Sequence, residues 1–274
     1  DLAGGLAGIG LNLAHFAELT GEPELRAAAD RAVELTAQRL SEPDDSPPIS
    51  GSGNPYAGLT HGCTGAALLF LREYERRGDE ALLDLAADAL RRDLRRCVVR
   101  PDGAMEVNEG WRTMPYLGRG SAGIGLVLDQ YLAHRADERF AEASEAIHLA
   151  ARAPFFIQSG LFAGRAGILL YLLHRGETAA VEGQVRRLAW HALPYADGLA
   201  FPGEQLLRLS MDLATGSAGV LLALGAALHD RPVDLPFLTP SRPPSRREGA
   251  IPYPRREEVL GHGSSGPSGH EAGC

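Results

Sequence analysis

The sequence has few cysteines, and their number and spacing exclude a disulfide framework. Cys63, Cys97 and Cys274 are odd in number and lie far apart along the 274 residues. Small domains that are held together by disulfides carry many cysteines in pairs at short spacings. We therefore expect this chain to belong to a reducing compartment.

The sequence also lacks long uncharged apolar runs and a surplus of basic residues. Its apolar runs, such as 66–71 and 220–224, are too short to cross a bilayer. No signal-peptide pattern follows Asp1, and because the chain does not begin with Met we expect it to be a fragment. The net charge of -8 disfavours non-specific binding to nucleic-acid phosphates. We predict a cytoplasmic protein that binds neither nucleic acid nor membrane.

An internal repeat dominates the sequence instead. Each copy has a Gly-x-[small]-Gly element followed by a strongly apolar stretch, and the copies occupy residues 5–8, 62–65, 120–123, 164–167 and 216–219. Glycine allows a tight turn and the close approach of another backbone. The stretches that follow, such as 9–19, 66–74 and 168–173, are apolar on most of a helical circumference, which is typical of helices buried inside an assembly.

Helices of a second kind lie between the repeats. Segments 23–40, 81–94 and 139–151 carry a narrower apolar stripe at helical spacing, with charged residues on the opposite side. Alternating runs of β-branched residues are lacking, so the β content should be small. The pattern predicts an all-α fold, specifically an α/α toroid: a double-layered helical barrel of helix pairs led by Gly-x-x-Gly turns. An open solenoid is the alternative, but it would need capping repeats with polar exteriors.

The segments outside these helices are of three kinds. Loops 41–56 and 101–117 each precede a repeat glycine, so both should reach the end of the barrel where the turns gather and a pocket can form. The basic stretch 91–100 is interpreted as the end of a helix. Residues 239–274 are rich in Pro, Gly, Ser and Arg without helical periodicity, which predicts a disordered tail after a domain of residues 1–238.

Several polar residues stand next to the glycine turns. Asp1 precedes the first turn, His61 stands directly before Gly62, and the third turn follows Arg112, Tyr116 and Arg119. Each has a structural explanation, as a helix cap, a turn residue or a solvated charge. Together, a histidine that titrates near neutrality, a carboxylate that supports it and an arginine that stabilises a developing enolate indicate proton transfer beside a carbonyl.

Other catalytic classes find less support in the sequence. No serine lies in the strand–turn–helix elbow of a Ser-His-Asp hydrolase. A glycoside hydrolase would need two placed carboxylates, and a terpene cyclase would need an aspartate-rich metal motif. Cys63 stands two residues after His61, and we interpret it as a packing residue, with capture of an electrophile or a stray metal as the alternative.

The turns resemble those of LanC-like lanthionine cyclases. Asp1-Leu-Ala-Gly-Gly5-Leu-Ala-Gly-Ile9 is similar to their Asp-x-x-x-Gly-Leu-x-Gly-Ile turn, and Gly58-Leu-Thr-His-Gly62 is similar to their Gly-Leu-Ala-His-Gly motif. The resemblance extends over residues 1–238. It implies an α/α toroid in which Asp1 and His61 occupy catalytic positions. The family's arginine ahead of the third turn aligns with Met114, so Arg112, offset by two residues, is assigned to this role as the weakest of the three site residues.

The departures from the family concern its zinc site. Zinc-dependent members carry a Trp-Cys-x-Gly ligand in the third turn and a Cys-His-Gly pair in the fourth, where this chain has Leu117-Gly118-Arg119-Gly120 and Phe162-Ala163-Gly164. This pattern resembles the cyclase domain of class III lanthipeptide synthetases, which fuse a lyase, a kinase and a zinc-free cyclase. The chain has neither a kinase Gly-rich loop nor a His-Arg-Asp sequence, so it would be the cyclase part alone, with no metal and no cofactor.

The resemblance implies a function and a set of partners. The substrate would be a dehydrated precursor peptide, in which a cysteine thiol adds to dehydroalanine or dehydrobutyrine to give lanthionine, methyllanthionine or labionin rings. The lyase and kinase domains of the same synthetase would be partners. The alternative is a non-catalytic module that binds precursor peptide or supports the other domains; retention of Asp1 and His61 favours catalysis.

Overall fold

Two kinds of helix alternate along the chain, as the hydrophobic pattern predicts. The computed structural model describes residues 1–229 and 235–238, all within one compact unit of residues 1–243. In this part of the chain the apolar helices are α1 (Leu6–Thr20), α3 (Thr64–Arg77), α5 (Ser121–Leu132), α7 (Arg165–His174) and α9 (Ser217–Leu228). The amphipathic helices are α2 (Pro23–Ser41), α4 (Glu80–Leu94), α6 (Glu138–Ala151) and α8 (Thr178–Leu188).

The two kinds of helix begin differently. Four of the apolar helices, α1, α5, α7 and α9, start after a glycine with extended backbone and have no side-chain cap. The amphipathic helices α4 and α6 have aspartate N-caps, Asp79 and Asp137, whose carboxylates accept a backbone N–H from the first turn. Helix α2 begins at Pro23, where the fixed φ of proline suits the first turn.

The helices form two layers, and the all-α prediction is confirmed. Consecutive apolar helices pack side by side from α1 to α9, and each of the first four also packs against the amphipathic helix that follows it. This pairing is consistent with the predicted α/α toroid. Almost every residue of α5 is buried, whereas Ile9, Phe16 and Leu19 of α1 and Leu221 of α9 are exposed by half or more. The middle helices of the inner row are therefore covered on all sides, and its first and last helices are not.

The five glycine turns lie next to one another at one end of the inner helices. Each turn is linked to the next by backbone hydrogen bonds: Leu2 N–H donates to the Thr60 carbonyl (3.1 Å), Thr60 N–H to Gly118 (2.9 Å), Gly118 N–H to Phe162 (2.8 Å) and Phe162 N–H to Ala214 (3.0 Å). The prediction that the turns gather at one end is confirmed. Their contact is direct, so a residue in one turn is positioned by its neighbours on both sides.

Close packing explains the second glycine of each turn. A Cβ on Gly167 would lie 2.0 Å from the carbonyl oxygen of Leu161 in the same turn and 2.7 Å from Cβ of Leu117 in the preceding turn. Gly123 and Gly219 are confined in the same way. The confining leucine always stands six residues before the glycine, and these leucines are Leu2, Leu59, Leu117, Leu161 and Leu213. The repeat unit is therefore longer than the glycine pair alone suggests.

Short strands occupy part of a segment that the sequence predicts to be a loop. Strands β1 (Cys97–Val99), β2 (Met105–Asn108) and β3 (Thr113–Met114) form an antiparallel sheet in which Cys97 pairs with Val107 and Val107 with Met114. A second hairpin joins β4 (Leu193–Tyr195) to β5 (Gly198–Ala200). Strands of two to four residues are too short to show alternation in a sequence, and the segment 101–117 is therefore predicted to be a loop. The small total β content agrees with the prediction.

The last described residues, 235–238, pack against the other end of the inner helices. The carbonyl of Phe237 accepts a hydrogen bond from Nε of Arg72 (3.1 Å), and the carbonyl of Leu238 accepts one from Nε2 of Gln130 (2.7 Å). Leu235 and Leu238 are buried. The predicted disordered tail, residues 239–274, lies outside the described residues. None of the described helices combines the length and the apolar character that crossing a bilayer requires.

Candidate functional site

The second turn carries the histidine that the sequence singles out. His61 is exposed at the end of the helices where the turns meet, and it directly precedes the buried Gly62. Its Nδ1 lies 2.8 Å from Oγ1 of Thr60, and its ring makes an edge contact with the ring of Tyr56 at 6.0 Å between centroids. The other ring nitrogen, Nε2, has no hydrogen-bond partner in the described part of the chain, so it is available to a substrate.

A buried carboxylate from helix α4 holds this turn in place. Asp93 is fully buried, and its two oxygens accept hydrogen bonds from the backbone N–H groups of Gly58 (3.0 Å), Cys63 (3.0 Å) and Thr64 (2.8 Å) and from the Thr64 hydroxyl (2.6 Å). Burial raises the pKa of Asp93, and these hydrogen bonds oppose the shift. The backbone on both sides of His61 is therefore anchored to one side chain of another helix.

Sequence reasoning missed Asp93, although a signal was present. Leu83, Ala86 and Leu90 form the buried stripe of α4, and Asp93 continues that stripe at helical spacing. A carboxylate on the apolar face of a helix needs several donors, because burying a charge without partners is costly.

Arg119 and Tyr56 complete the surroundings of His61. Arg119 comes from the third turn, and its guanidinium lies over the Tyr56 ring at 5.1 Å from the centroid. Burial and the positive charge of Arg119 lower the pKa of His61. The histidine is therefore neutral at a pH where an isolated histidine would still be partly charged.

Loop 41–56, which carries Tyr56, is fastened to the end of α4. The buried guanidinium of Arg96 donates to Oδ2 of Asp44 (2.7 Å) and to Oγ of Ser46 (2.6 Å), and Arg95 donates to the Ser46 carbonyl (3.2 Å). Burial opposes the shift, but hydrogen bonds from Ser46 and Arg96 hold the pKa of Asp44 well below its usual range. The prediction that the basic stretch 91–100 is a helix end is correct only as far as Leu94, where α4 ends, since 97–99 form β1. Arg95 and Arg96, between the two elements, position the loop.

The turn that carries Asp1 adjoins the turn of His61 through backbone hydrogen bonds. Leu2 and Ala3 N–H both donate to the Thr60 carbonyl, at 3.1 and 2.9 Å, so the first turn lies directly against the residue before His61. The Asp1 carboxylate accepts the N–H of Gly4 at 2.9 Å and closes its own turn. A groove of about 350 Å³ runs from this turn along the first half of α1. The structure thus brings the Asp1 and His61 turns together.

Arg112 is held by residues of its own loop. Its Nε donates to Oε2 of Glu109 at 2.6 Å, and its guanidinium stacks on the ring of Trp111 at 4.4 Å. Tyr116 is buried beside Phe156, and burial raises its pKa. The arginine that lies beside Tyr56 and acts electrostatically on His61 is Arg119, which the sequence places next to the glycine without assigning it a role.

The two described cysteines face the protein interior around Asp93. Cys97 Sγ lies 3.6 Å from the Asp93 carbonyl. Burial and the negative charge of Asp93 raise the pKa of Cys63 to about 12, and the same two causes raise the pKa of Cys97. Both thiols are therefore protonated at neutral pH, and a protonated thiol is a poor nucleophile. Cys274 lies outside the described residues.

The donor set at the third and fourth turns does not fit the zinc ion of the resembled family. At these positions stand the cation of Arg119, the methyl group of Ala163 and backbone groups that bond to each other, Gly118 N–H to Phe162 O. Structural and catalytic zinc sites use thiolate, imidazole and carboxylate ligands. In residues 1–229 and 235–238, no group of three such side chains is arranged to hold a metal.

A larger cavity, of about 410 Å³, lies between the C-terminal ends of α5 and α7 and the first half of α6, away from the turns. Its charged groups neutralise one another, because Arg175 pairs with Asp129 at 2.9 Å and with Glu145. Ser144 also donates to Asp129. These paired groups indicate a structural cluster, and the candidate site remains at the turns.

Comparisons with known proteins agree with the motifs of these turns. The family model described as lanthionine synthetase C-like protein matches residues 1–103, which include Asp1, His61 and Asp93. The predicted resemblance to the LanC-like family is confirmed. A relative described as probable SapB synthase, from Streptomyces coelicolor, is 53% identical to this chain over 263 residues. The match covers 94% of this chain and 28% of the relative, so the chain spans little more than a quarter of that protein's length.

Proposed function

We propose that this LanC-like chain is a lanthipeptide cyclase domain. It joins peptide cysteines to dehydroalanine or dehydrobutyrine, giving lanthionine, methyllanthionine or labionin rings. The thiolate sulfur bonds to Cβ of the dehydro residue and the electrons of the C=C bond move toward the carbonyl oxygen. For lanthionine and methyllanthionine, Cα then takes up a proton; for labionin, Cα instead bonds to Cβ of a second dehydroalanine, whose own Cα takes up the proton. Its substrate is a dehydrated precursor peptide, and in the longer synthetase its partners are lyase and kinase domains.

One observation carries the proposal: His61 stands where three turns meet, with its Nε2 open and a cation beside it. Thr60 is bonded to the first and third turns, Asp93 fixes the backbone around His61 from below, and Arg119 lies over Tyr56 next to the ring. Such a rigid scaffold orients a catalytic group better than a mobile loop does. A histidine anchored in this way suits proton exchange with a bound substrate.

The residues have distinct roles in the proposed reaction. His61 exchanges a proton with the substrate during the addition, and Asp1 supports the histidine from the adjoining turn. Arg119 stabilises the negative charge that develops on the carbonyl oxygen, a role for which Arg112 is the alternative. Paired with Glu109 and stacked on Trp111, Arg112 is less free to take part.

The reaction is proposed to proceed without zinc, since the side chains at the third and fourth turns do not fit that ion. A cysteine with a pKa of about 8.5 is only a few per cent thiolate at neutral pH, a deficit of about 2 kcal/mol. Holding the thiol close to an electrophilic dehydro residue can lower the activation free energy by more than this deficit. Cyclisation should therefore be insensitive to a chelator, and loss of activity on removal of one tightly bound zinc per chain would contradict the proposal.

The experiment that tests the function is a free-thiol count on dehydrated precursor peptide, with and without the protein. Thiols should disappear with the wild type. His61→Ala should slow this by about 10²–10⁴-fold, the usual contribution of general acid–base catalysis. His229→Ala is the matched control, because His229 lies at the far end of α9 from the turns, and its rate should equal that of the wild type.

A second candidate function is a non-catalytic module that binds precursor peptide. The region before the fifth turn favours it, since the chain exposes Trp190, Tyr195, Leu199, Leu207 and Met211 there, each by more than 60%. Exposed apolar and aromatic clusters are typical of surfaces that bind peptides or proteins. Unchanged thiol loss in His61→Ala and Asp1→Asn, together with measurable peptide binding, would favour this module over the cyclase.

A further inference from the structure

The backbone of Thr60 is hydrogen-bonded to both neighbouring turns. Its N–H donates to Gly118 O (2.9 Å), and its carbonyl accepts from both Leu2 N–H (3.1 Å) and Ala3 N–H (2.9 Å). The residue is only 8% exposed. Because its backbone is bound to the first and the third turn, the Cα of Thr60 is held in place beside His61.

The Thr60 hydroxyl has one hydrogen-bond partner among the described residues, Nδ1 of His61 at 2.8 Å. A buried hydroxyl proton needs an acceptor, because leaving it without one has a cost in free energy. In a neutral imidazole one nitrogen carries the proton and the other accepts. When Thr60 donates to Nδ1, the imidazole proton must be on Nε2.

We propose that Thr60 is a positioning residue that holds neutral His61 as the Nε2–H tautomer, so that an N–H bond, and not a lone pair, faces the substrate. Two neighbours are compatible with this state. The cation of Arg119 disfavours a second proton on the ring, and the Tyr56 ring contacts the imidazole edge-on at 6.0 Å. Neither occupies Nε2.

This assignment rests on the proposed function for its chemical meaning. A neutral imidazole that presents N–H can donate a hydrogen bond to a carbonyl oxygen as negative charge develops there. His61 then begins the addition as a donor and not as the base for the thiol. The lowered pKa of His61, caused by burial and by Arg119, is consistent with a neutral donor.

The tautomer can be measured without any substrate. The ¹⁵N shifts and long-range ¹H–¹⁵N couplings of the ring distinguish Nε2–H from Nδ1–H, and the signal of His61 is the one that His61→Ala removes from the spectrum of the nine histidines. At a pH above the His61 pKa the wild type should show Nε2–H. A wild type with the proton on Nδ1 would overturn the proposal.

Substitutions at Thr60 test whether this side chain sets the tautomer. Thr60→Ser keeps the hydroxyl and should keep Nε2–H, whereas Thr60→Val keeps the shape but removes the hydroxyl and should give a mixture of tautomers. Thr60→Ala is the second variant without a hydroxyl, in case valine disturbs the fold. If both give the wild-type tautomer, the proposal is wrong.

Kinetics supply a second readout. Thr60→Val should lower kcat for thiol loss about three- to tenfold, the effect of one hydrogen bond, with little change in KM. Thr60→Ser should restore kcat. In a His61→Ala background Thr60→Val should have no further effect, and an undiminished effect there would contradict a role through His61. If the wild type has no cyclase activity, the proposed function fails, yet the tautomer measurement still decides the assignment.

Discussion

Turns two and four have the same backbone framework but carry different kinds of side chain before their first glycine. In both, a leucine confines the second glycine, Leu59 over Gly65 and Leu161 over Gly167, and the residue after that leucine donates its N–H to the following turn. Directly before the first glycine, turn two has His61, whereas turn four has Ala163. The repeat therefore supplies the framework, and one position per turn supplies the chemistry.

The two turns also differ in how their helix-starting N–H groups are satisfied. In turn four, Arg165 N–H donates to Gln158 O (2.8 Å) and Ala166 N–H to Ser159 O (3.1 Å), both within the same loop. In turn two, the corresponding groups of Cys63 and Thr64 donate to the carboxylate of Asp93 on another helix. The helix-starting N–H groups beside the catalytic candidate thus depend on a distant side chain, whereas those of turn four are satisfied within their own loop.

The shared framework can be broken at its glycine. Gly167→Val should prevent folding, because the new Cβ would lie 2.0 Å from the Leu161 carbonyl and neither backbone can move. The cost should exceed about 5 kcal/mol, which is comparable with the whole stability of a domain. Gly4→Ala is the control, since a Cβ there meets nothing within 4 Å. Circular dichroism and soluble yield measure both, and a folded Gly167→Val protein would refute this account of the glycine.

The dependence of turn two on Asp93 can be tested separately. Asp93→Ala leaves three backbone donors and one hydroxyl without their acceptor, which should lower the free energy of unfolding by about 3–4 kcal/mol. Asp88→Ala on the same helix is the control; its side chain is 62% exposed, and it should change stability by less than about 0.5 kcal/mol. Denaturant titration gives both values, and equal stabilities of the two variants would show that turn two does not depend on the Asp93 side chain.

The electrostatic difference between the turns predicts a pH effect. Arg119 and burial lower the pKa of His61, so the imidazole is neutral above that lowered pKa and the acidic limb of the rate profile lies at correspondingly low pH. Arg119→Gln removes one cause, and the pKa should rise toward its ordinary value. The acidic limb of kcat/KM should move to higher pH, and added salt should weaken the difference because Arg119 is exposed.

Arg112→Gln is the matched control for this shift. Arg112 pairs with Glu109 and stacks on Trp111, so its removal should leave the acidic limb in place. Equal shifts in the two variants would mean that the arginines act on His61 alike, and would return Arg112 to the role that the sequence assigns to it.

The smallest effect is expected at the C-terminus. Deletion of residues 241–274 should leave the melting temperature nearly unchanged, because the predicted domain ends at residue 238. Deletion of 235–274 is the contrasting variant: it removes the carbonyl acceptors of Arg72 and Gln130 and the buried Leu235 and Leu238. That deletion should lower the melting temperature by several degrees, roughly 2–4 °C per kcal/mol. Equal melting curves would show that segment 235–238 stabilises nothing.

The presence of each helix, and whether it belongs to the inner or the outer layer, could be predicted because both depend on the local hydrophobic pattern. The segments predicted as helices, such as 23–40 and 81–94, agree within a residue or two with Pro23–Ser41 and Glu80–Leu94. Among the site residues, His61 and Asp1 stood out because they adjoin the glycines of the repeat. Strands β1 to β3 did not stand out, since two to four residues cannot display a period.

Contacts between distant segments were not predictable in the same way. Asp93 lies about thirty residues after the turn that it holds, and Tyr56 and Arg119 meet although they belong to different repeats. The choice between Arg112 and Arg119 illustrates the difficulty: spacing put both near the third turn, and only the position of their partners separates them.

The sequence by itself determined the helical repeat, the position of its turns and the residue type that each turn carries, because periodicity and glycine spacing are local properties of the chain. Tertiary structure decided which of those residues act on one another. The burial of Asp93 under the turn of His61 and the placing of Arg119 over Tyr56 arise only when distant segments are brought side by side, since electrostatic and hydrogen-bond energies depend on separations that the order of residues does not contain.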